Sequence, residues 1–194
     1  MQEKKSIPNA DRRALMRARL IAEARKLFVE KGYAETSTPE IVRAAEVTRG
    51  ALYHHFADKA DLFRAVVQQE AATLASEIDQ GAVADSGDPL TSGSQAFFAS
   101  MAKEGRAHLL LIEGPAVLGL AEMAEIDAGG GRQSLMLGLQ QARPDLAEVE
   151  LQALSDVLSA AFDRAALAVS QGRSEAPYLA AMEQVMASLM GPNE

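Results

Sequence analysis

Two helix-start signals eleven residues apart constrain this chain more than any other feature of it. Ser37, followed three residues later by Glu40, forms a capping box, and Pro39 falls in the first turn, where its missing N–H is no loss. That pattern predicts a short helix through Ala45. Thr48 offers a second N-cap, and Leu52 and Phe56 then share a face with each other and with Val47, able to pack on Ile41 and Ala45. Two helices so short and so tightly joined must cross at a steep angle, which is a helix-turn-helix. The opposite face of the second helix carries Thr48, Arg49, Gly50, Ala51, Tyr53 and His54, with His55 alongside. Small residues permit close approach there, and the donors are of several lengths. Such a face suits the major groove of DNA.

Nearly every other segment also reads as helix. From about Ala10 to Lys31 the residues Leu20, Ile21, Ala24, Leu27 and Phe28 recur at the three-and-four spacing of one apolar face. Lys31 and Gly32 supply a cation and a left-handed residue to end it. Arg12, Arg13, Arg17 and Arg19 lie near its start; they read equally as a solvated face or as contacts to phosphates flanking an operator. A long helix from Asp58 to about Gln80 carries Leu62, Ala65, Val66 and Leu74, and a polar loop is expected over Gly81 to Gly93, with Asp88-Pro89 near a helix start. Helices are then expected over Pro89 to Lys103, Arg106 to Glu113, Pro115 to Asp127 and Gln133 to Gln141. Gly129-Gly130-Gly131 reads as a connector: no strand precedes it and no Lys-Ser/Thr follows, as a phosphate cradle requires. Asp145 with Glu148 reads as a capping box for a long helix ending near Gln171-Gly172. A last helix, with Pro177 in its first turn, ends by Met190-Gly191.

Charge divides the chain in two. Of 19 Lys+Arg and 27 Asp+Glu, the stretch Met1 to Val67 holds 13 and 9, a balance of +4, and the remainder holds 6 and 18, a balance of -12. A basic lobe can replace counterions around phosphate, and an acidic lobe would be repelled by it. With 194 residues and 48% hydrophobic composition the chain can bury one large core or two small ones. It has no cysteine, which excludes disulfides, thiolate metal sites and a cysteine nucleophile. The polar, charged start is unlike a secretory signal, and the most apolar stretch, Ala107 to Met123, is interrupted by His108, Glu113 and Glu122. A cytoplasmic location without membrane contact is expected. His54 and His55 point about 100 degrees apart on a helix, so no metal site is expected; nor is a cofactor.

Leu20 to Arg64 resembles the DNA-binding domain of the TetR family of transcriptional regulators. The resemblance rests on Phe28-Val29-Glu30-Lys31-Gly32-Tyr33, on the Ser37 to Ala45 helix, and on Val47-Thr48-Arg49-Gly50-Ala51-Leu52-Tyr53-His54-His55-Phe56 followed by Lys59. It implies an all-α protein with a three-helix helix-turn-helix domain over residues 10–57. A long helix would join that domain to a helical ligand-binding and dimerisation domain over residues 58–194. Thr38 and Thr48 would then touch phosphates, Arg49 and Ala51 would face base edges, Tyr53 and His55 would hold the backbone, and Lys59 would cap the contact. Gly50 and His54 complete the DNA-facing set. Two positions depart from the family pattern. Glu46 stands where glycine is usual, so a left-handed backbone there would cost roughly 1 kcal/mol, which leaves open a differently shaped turn. Pro39 lacks the donor that some members place at its position.

The resemblance further implies a homodimer, a double-stranded DNA operator and a small-molecule effector that releases it. Leu151, Leu154, Leu158, Ala161, Phe162 and Ala165 on the long helix, with Leu179, Met182, Val185, Met186 and Leu189 on the last, are the expected dimer face. Val157 belongs to the same apolar face. Phe97, Phe98, Met101, Met123, Met136 and Phe162, with His108 and Glu113 as polar anchors, are the candidate lining of an apolar effector site; ordinary core is the competing reading. No nucleophile, metal or acid–base constellation supports an enzyme. A helical interaction or ligand-sensing protein with lost or altered DNA binding is the alternative.

Overall fold

The computed structural model describes residues 9–84 and 88–189, all of its regular elements being helices. Two compact units divide between Val67 and Gln68. The charge balance changes sign at the same point.

The N-terminal unit is built from α1 (Asn9–Glu35), α2 (Thr38–Ala44), α3 (Arg49–His55) and the first turns of α4 (Lys59–Ala84). Helix α1 leaves helical geometry at Gly32, at φ 81° and ψ 163°, where a side chain would be strained. This is where the sequence ends the helix; a last turn follows before Thr36. The buried Thr36 hydroxyl donates to the carbonyls of Leu27 and Gly32, at 3.2 and 2.8 Å, and satisfies the freed end. Leu20, Ala24, Phe28, Ile41, Ala45, Leu52, Phe56 and Leu62 form the core, and Phe63 of α4 meets the Phe28 ring edge-on at 5.1 Å. That contact explains why the unit extends past the expected limit at residue 57.

In the C-terminal unit α4 continues to Ala84, so the expected loop starting at Gly81 is shorter than the sequence suggests. Ala82 and Val83 prolong the helix past Gly81, and residues 85–87 lie outside those described. Asp88 caps α5 (Pro89–Met101), accepting from Leu90 and Thr91 N–H groups. A short α6 (Arg106–His108) widens into a π-helical turn, Leu109–Glu113, and tightens again as α7 (Gly114–Leu118). Pro115 has no N–H for the Leu111 carbonyl, which accounts for the irregular turn before it.

Gly119, at φ 86°, then breaks the helix that sequence alone continues through to Asp127. Helices α8 (Leu120–Ala128) and α9 (Gly131–Ala142) follow, joined through the expected glycines. The capping box assigned to Asp145 and Glu148 is a misreading. Asp145 pairs with Arg143, and α10 (Glu148–Ser170) begins after Ala147, whose N–H donates to Glu150 at 3.0 Å. The last helix, α11 (Glu175–Leu189), packs on α5 and α10, and its expected end at Met190-Gly191 lies outside the described residues.

Phe97, Phe98 and Phe162 form an aromatic cluster where α5 meets α10. The same unit holds a buried charged network. Arg106, 4% exposed, donates to Glu70 at 3.0 Å, to Glu77 at 2.8 Å and to the Ser100 carbonyl at 3.2 Å. Burial raises the Glu77 carboxyl, but donors from Lys103, Ser100 and Arg106 outweigh it and bring the pKa to about 2. These bonds fasten α6 to α4 and α5.

Candidate nucleic-acid interface and C-terminal cavities

Ser37 precedes α2, and Glu40 accepts from both its N–H, at 2.9 Å, and its hydroxyl, at 2.7 Å. Lys31 reaches the same carboxylate at 2.8 Å, and together these donors hold the Glu40 pKa at about 2. Helix α2 ends in a Schellman arrangement: Val47 N–H donates to the Val42 carbonyl and Glu46 N–H to that of Arg43, both at 3.1 Å. Glu46 occupies the left-handed position at φ 49°, alone among the described non-glycine residues. The turn therefore keeps the shape glycine would favour. Its carboxylate is paired with Arg19 of α1, which balances the negative charge at this turn.

Thr48 caps α3 by accepting from Ala51 N–H at 3.1 Å. Leu52 and Phe56 turn into the core, and Thr48, Arg49, Gly50, Tyr53 and His54 are exposed on the other side; Ala51, His55 and Thr38 are half-buried. Tyr53 lies 43% exposed, with the Arg49 guanidinium 5.5 Å from its ring centroid, so the ring belongs to the outer face. Arg17 of α1 stands over Phe56 at 5.1 Å. Burial, and then His54, Arg13 and Arg17, lower the His55 pKa, a sign that positive charge gathers beside this face.

Lys59 has a role that sequence did not reveal. Its ammonium donates to the carbonyls of Tyr33 and Thr36, at 2.8 and 2.9 Å, and sits 4.1 Å from the Tyr33 ring centroid. It ties the end of α1 to the start of α4 and keeps one of three donors for any other partner.

The expected effector residues do not converge. Phe97 and Phe162 line a cavity of about 330 Å³, together with Ile78, Leu90 and Leu135. Met101 and Met123 line a second of about 400 Å³. Phe98 and His108, again with Met101, border a third of about 450 Å³, and Met136 lines none of these three. Phe97 and Phe98 are neighbours on a helix and point about 100 degrees apart, which sends them to different spaces. Glu113 is mostly buried, 4.0 Å from the exposed His108, and lines none of these cavities. Sequence missed Asp127 and Asp163, which line both the first and second cavities. The available signal was an acidic residue, Asp163, directly beside Phe162 on the apolar stripe of α10.

The expected dimer residues also separate. Leu151, Leu158, Phe162, Ala165, Met182 and Met186 are buried within the protomer. Leu154, Leu179 and Leu189 are half-buried, and Ala161 and Val185 are exposed. Val149 and Val157 add strongly exposed apolar surface on α10, at 73% and 67%.

These elements define a helix-turn-helix module with the outer face of α3 exposed, in a chain whose second unit is helical and holds cavities. Residues 20–66 match the model of the bacterial regulatory proteins of the tetR family. The chain is 30% identical over 80 residues to the transcriptional repressor AcnR of Corynebacterium efficiens, covering 41% of this chain and 43% of that protein. It is 30% identical over 99 residues to the transcriptional activator FasR of Mycolicibacterium smegmatis, covering 50% and 45%. The matched stretch thus spans less than half the length of these curated relatives. A TetR-family regulator from Pectobacterium atrosepticum superimposes with a TM-score of 0.71 at 28% identity, over 94% of this chain and 95% of that one. Residues 20–66 thus carry the DNA-binding domain described for the bacterial regulatory proteins of the tetR family, and the all-helical fold is shared with the Pectobacterium regulator.

Proposed function

We propose that this chain is a transcriptional regulator that binds a palindromic DNA operator as a homodimer and releases it when a small molecule occupies the C-terminal unit. The exposed face of α3 carries this reading: Thr48, Arg49, Gly50, Tyr53 and His54 stand clear of a core that Leu52 and Phe56 complete. Arg49 supplies a bidentate donor for a guanine edge, and Thr48, Thr38, Tyr53 and His55 supply phosphate donors, with Ala51 and Gly50 allowing close approach. Repression is the proposed direction, as for AcnR; FasR, an activator, illustrates the opposite outcome. The proposed activity is regulation, not catalysis, in the cytoplasm with the chromosome. Among the described residues no helix is long and apolar enough to cross a membrane.

Dimerisation is supported by Val149, Val157, Ala161 and Val185, which leave apolar surface on α10 and α11 outside the protomer's core. Selection of genomic fragments with the purified protein tests the whole reading. Recovery of an inverted repeat, with half-site centres about one helical turn apart, is expected; recovery of no shared sequence would overturn it. Light scattering of Val157→Glu separates the dimer from the fold, since this side chain is exposed and its replacement should yield folded monomer.

A further inference from the structure

The 330 Å³ cavity of the C-terminal unit has walls from four helices: Ile78 of α4, Leu90 and Phe97 of α5, Leu135 of α9 and Phe162 of α10. Its size and apolar walls fall within the range of small-molecule sites, about 300–1,000 Å³. Its charge is one-sided. Asp79, Asp127 and Asp163 belong to the lining, and no Lys, Arg or His does. Asp79 is exposed on α4, whereas Asp127 and Asp163 stand where this cavity adjoins the second one, which shares Leu74, Asp127, Gly131 and Asp163 with it.

The two inner carboxylates are not equally provided for. Asp127 accepts from the Ser159 hydroxyl at 3.3 Å and the Arg132 N–H at 3.4 Å, and the Arg132 guanidinium lies 3.8 Å away. That guanidinium is turned chiefly to Asp156. The Asp163 carboxylate has no hydrogen bond or ion pair with any described residue. Burial and the neighbouring Asp127 raise its pKa to about 7. Besides the exposed Asp79, the remaining charged residue among the described lining of either cavity is Arg164, exposed on the second. A carboxylate in apolar surroundings without a partner is costly, and a cation of matching shape removes that cost while an anion adds to it. Phe97 and Phe162 add ring surface that also favours a cation. Among the described residues no group of three or more metal-ligating side chains exists, which turns the argument from a metal ion to an organic cation.

We propose that this cavity binds an organic monocation with an aromatic or branched apolar body, its charge held between Asp163 and Asp127. The proposal names the chemical class of the effector in the reading above and rests on that reading only for the consequence at DNA. Binding itself needs no operator.

The test is calorimetric titration of the full-length protein with benzyltrimethylammonium and with neopentylbenzene, its neutral isostere. The quaternary nitrogen keeps its charge at every pH, so any pH dependence belongs to the protein. The cation should bind about tenfold more tightly than the isostere, and about tenfold more tightly at pH 8 than at pH 6, as Asp163 loses its proton. Asp163→Asn, which leaves Asp127 in place, should reduce both differences severalfold while keeping the wild-type circular dichroism spectrum. Equal or tighter binding of the neutral isostere, an unchanged cation preference in Asp163→Asn, or no cation binding at millimolar concentration would each overturn the proposal. Operator affinity is measured separately. Cation binding with no operator binding would sink the regulatory reading and leave the site standing, and cation binding that leaves operator affinity unchanged would remove only the coupling.

Discussion

The N-terminal unit keeps its charged side chains out of an apolar core, whereas the C-terminal unit takes charge inside. In the first, Arg49, Tyr53 and His54 are exposed, and even the unusual Glu46 meets Arg19 at the surface. In the second, Arg106 is buried with Glu70, and Asp163 lines a cavity without an ionic partner. The contrast separates two ways of recognising a ligand. In the proposed function DNA would meet the exposed donors of α3, and a small molecule the cavity of the C-terminal unit. Both units are helical, so the difference comes from the placement of charge, not from secondary structure.

The buried network is the sharpest place to break this contrast. Arg106→Ala leaves Glu70 in a low-dielectric setting without its cation and should cost about 3–5 kcal/mol. Urea denaturation followed by circular dichroism measures it; a loss below 1 kcal/mol would mean that water reaches the pair. Glu77 sets a pH window for the same network. Its folded pKa of about 2 lies below the unfolded value near 4.5, so its contribution is present above pH 4.5 and lost as pH falls towards 2.

Asp163 has the opposite sign. With a folded pKa of about 7 against 3.8 unfolded, it keeps its proton in the folded state between these values, and its contribution to stability is lost as pH rises through 7. Asp163→Asn should therefore stabilise the protein at pH 8, by about 2 kcal/mol after allowance for cavity water, and have little effect at pH 4. Thermal melts at both pH values check this, and equal effects at the two would refute it.

On the exposed face effects are of similar or smaller size. Arg49→Ala should cost about 1–3 kcal/mol on operator DNA and change sequence preference. Lys59→Ala, by contrast, should lower stability because two carbonyls lose a charged donor. Binding measured on operator and random DNA, alongside denaturation, distinguishes the two. Equal losses of Arg49→Ala on both DNAs would remove it from the base-reading role. The smallest effect is expected from Glu46→Gly. Relief of the left-handed backbone, about 1 kcal/mol, is offset by loss of an exposed ion pair and by a freer unfolded chain, so stability should change by no more than about 0.5 kcal/mol. A larger loss would show that the Arg19 pair holds the turn.

Local patterns sufficed for the helix-turn-helix because its determinants are neighbours in sequence. Ser37 and Glu40, Thr48 and Ala51, and Leu52 and Phe56 lie within one or two turns of each other, and the exposed face follows from helical periodicity once the core face is known. The change of charge sign at Val67, coinciding with the boundary of the compact units, was equally open to counting. Sequence alone could not tell which of the apolar residues on α10 and α11 are used within the protomer. Leu158 and Val157 are adjacent and both apolar, yet one is buried and the other exposed, because the helices packed on α10, namely α9, α11, α6 and α5, leave one side of it open.

Tertiary structure alone decided the cavity and the role of Lys59. Asp127 and Asp163 are far apart in the chain and meet only because α8 and α10 are brought together around α9; Lys59 finds the carbonyls of Tyr33 and Thr36 across a similar gap. The sequence by itself determined helix starts, apolar faces and the division of charge, since these depend on interactions spanning a few residues. Cavities, buried ion pairs and unpaired carboxylates depend on distances between helices, and those are set by how side chains from separate helices pack, which no local pattern records.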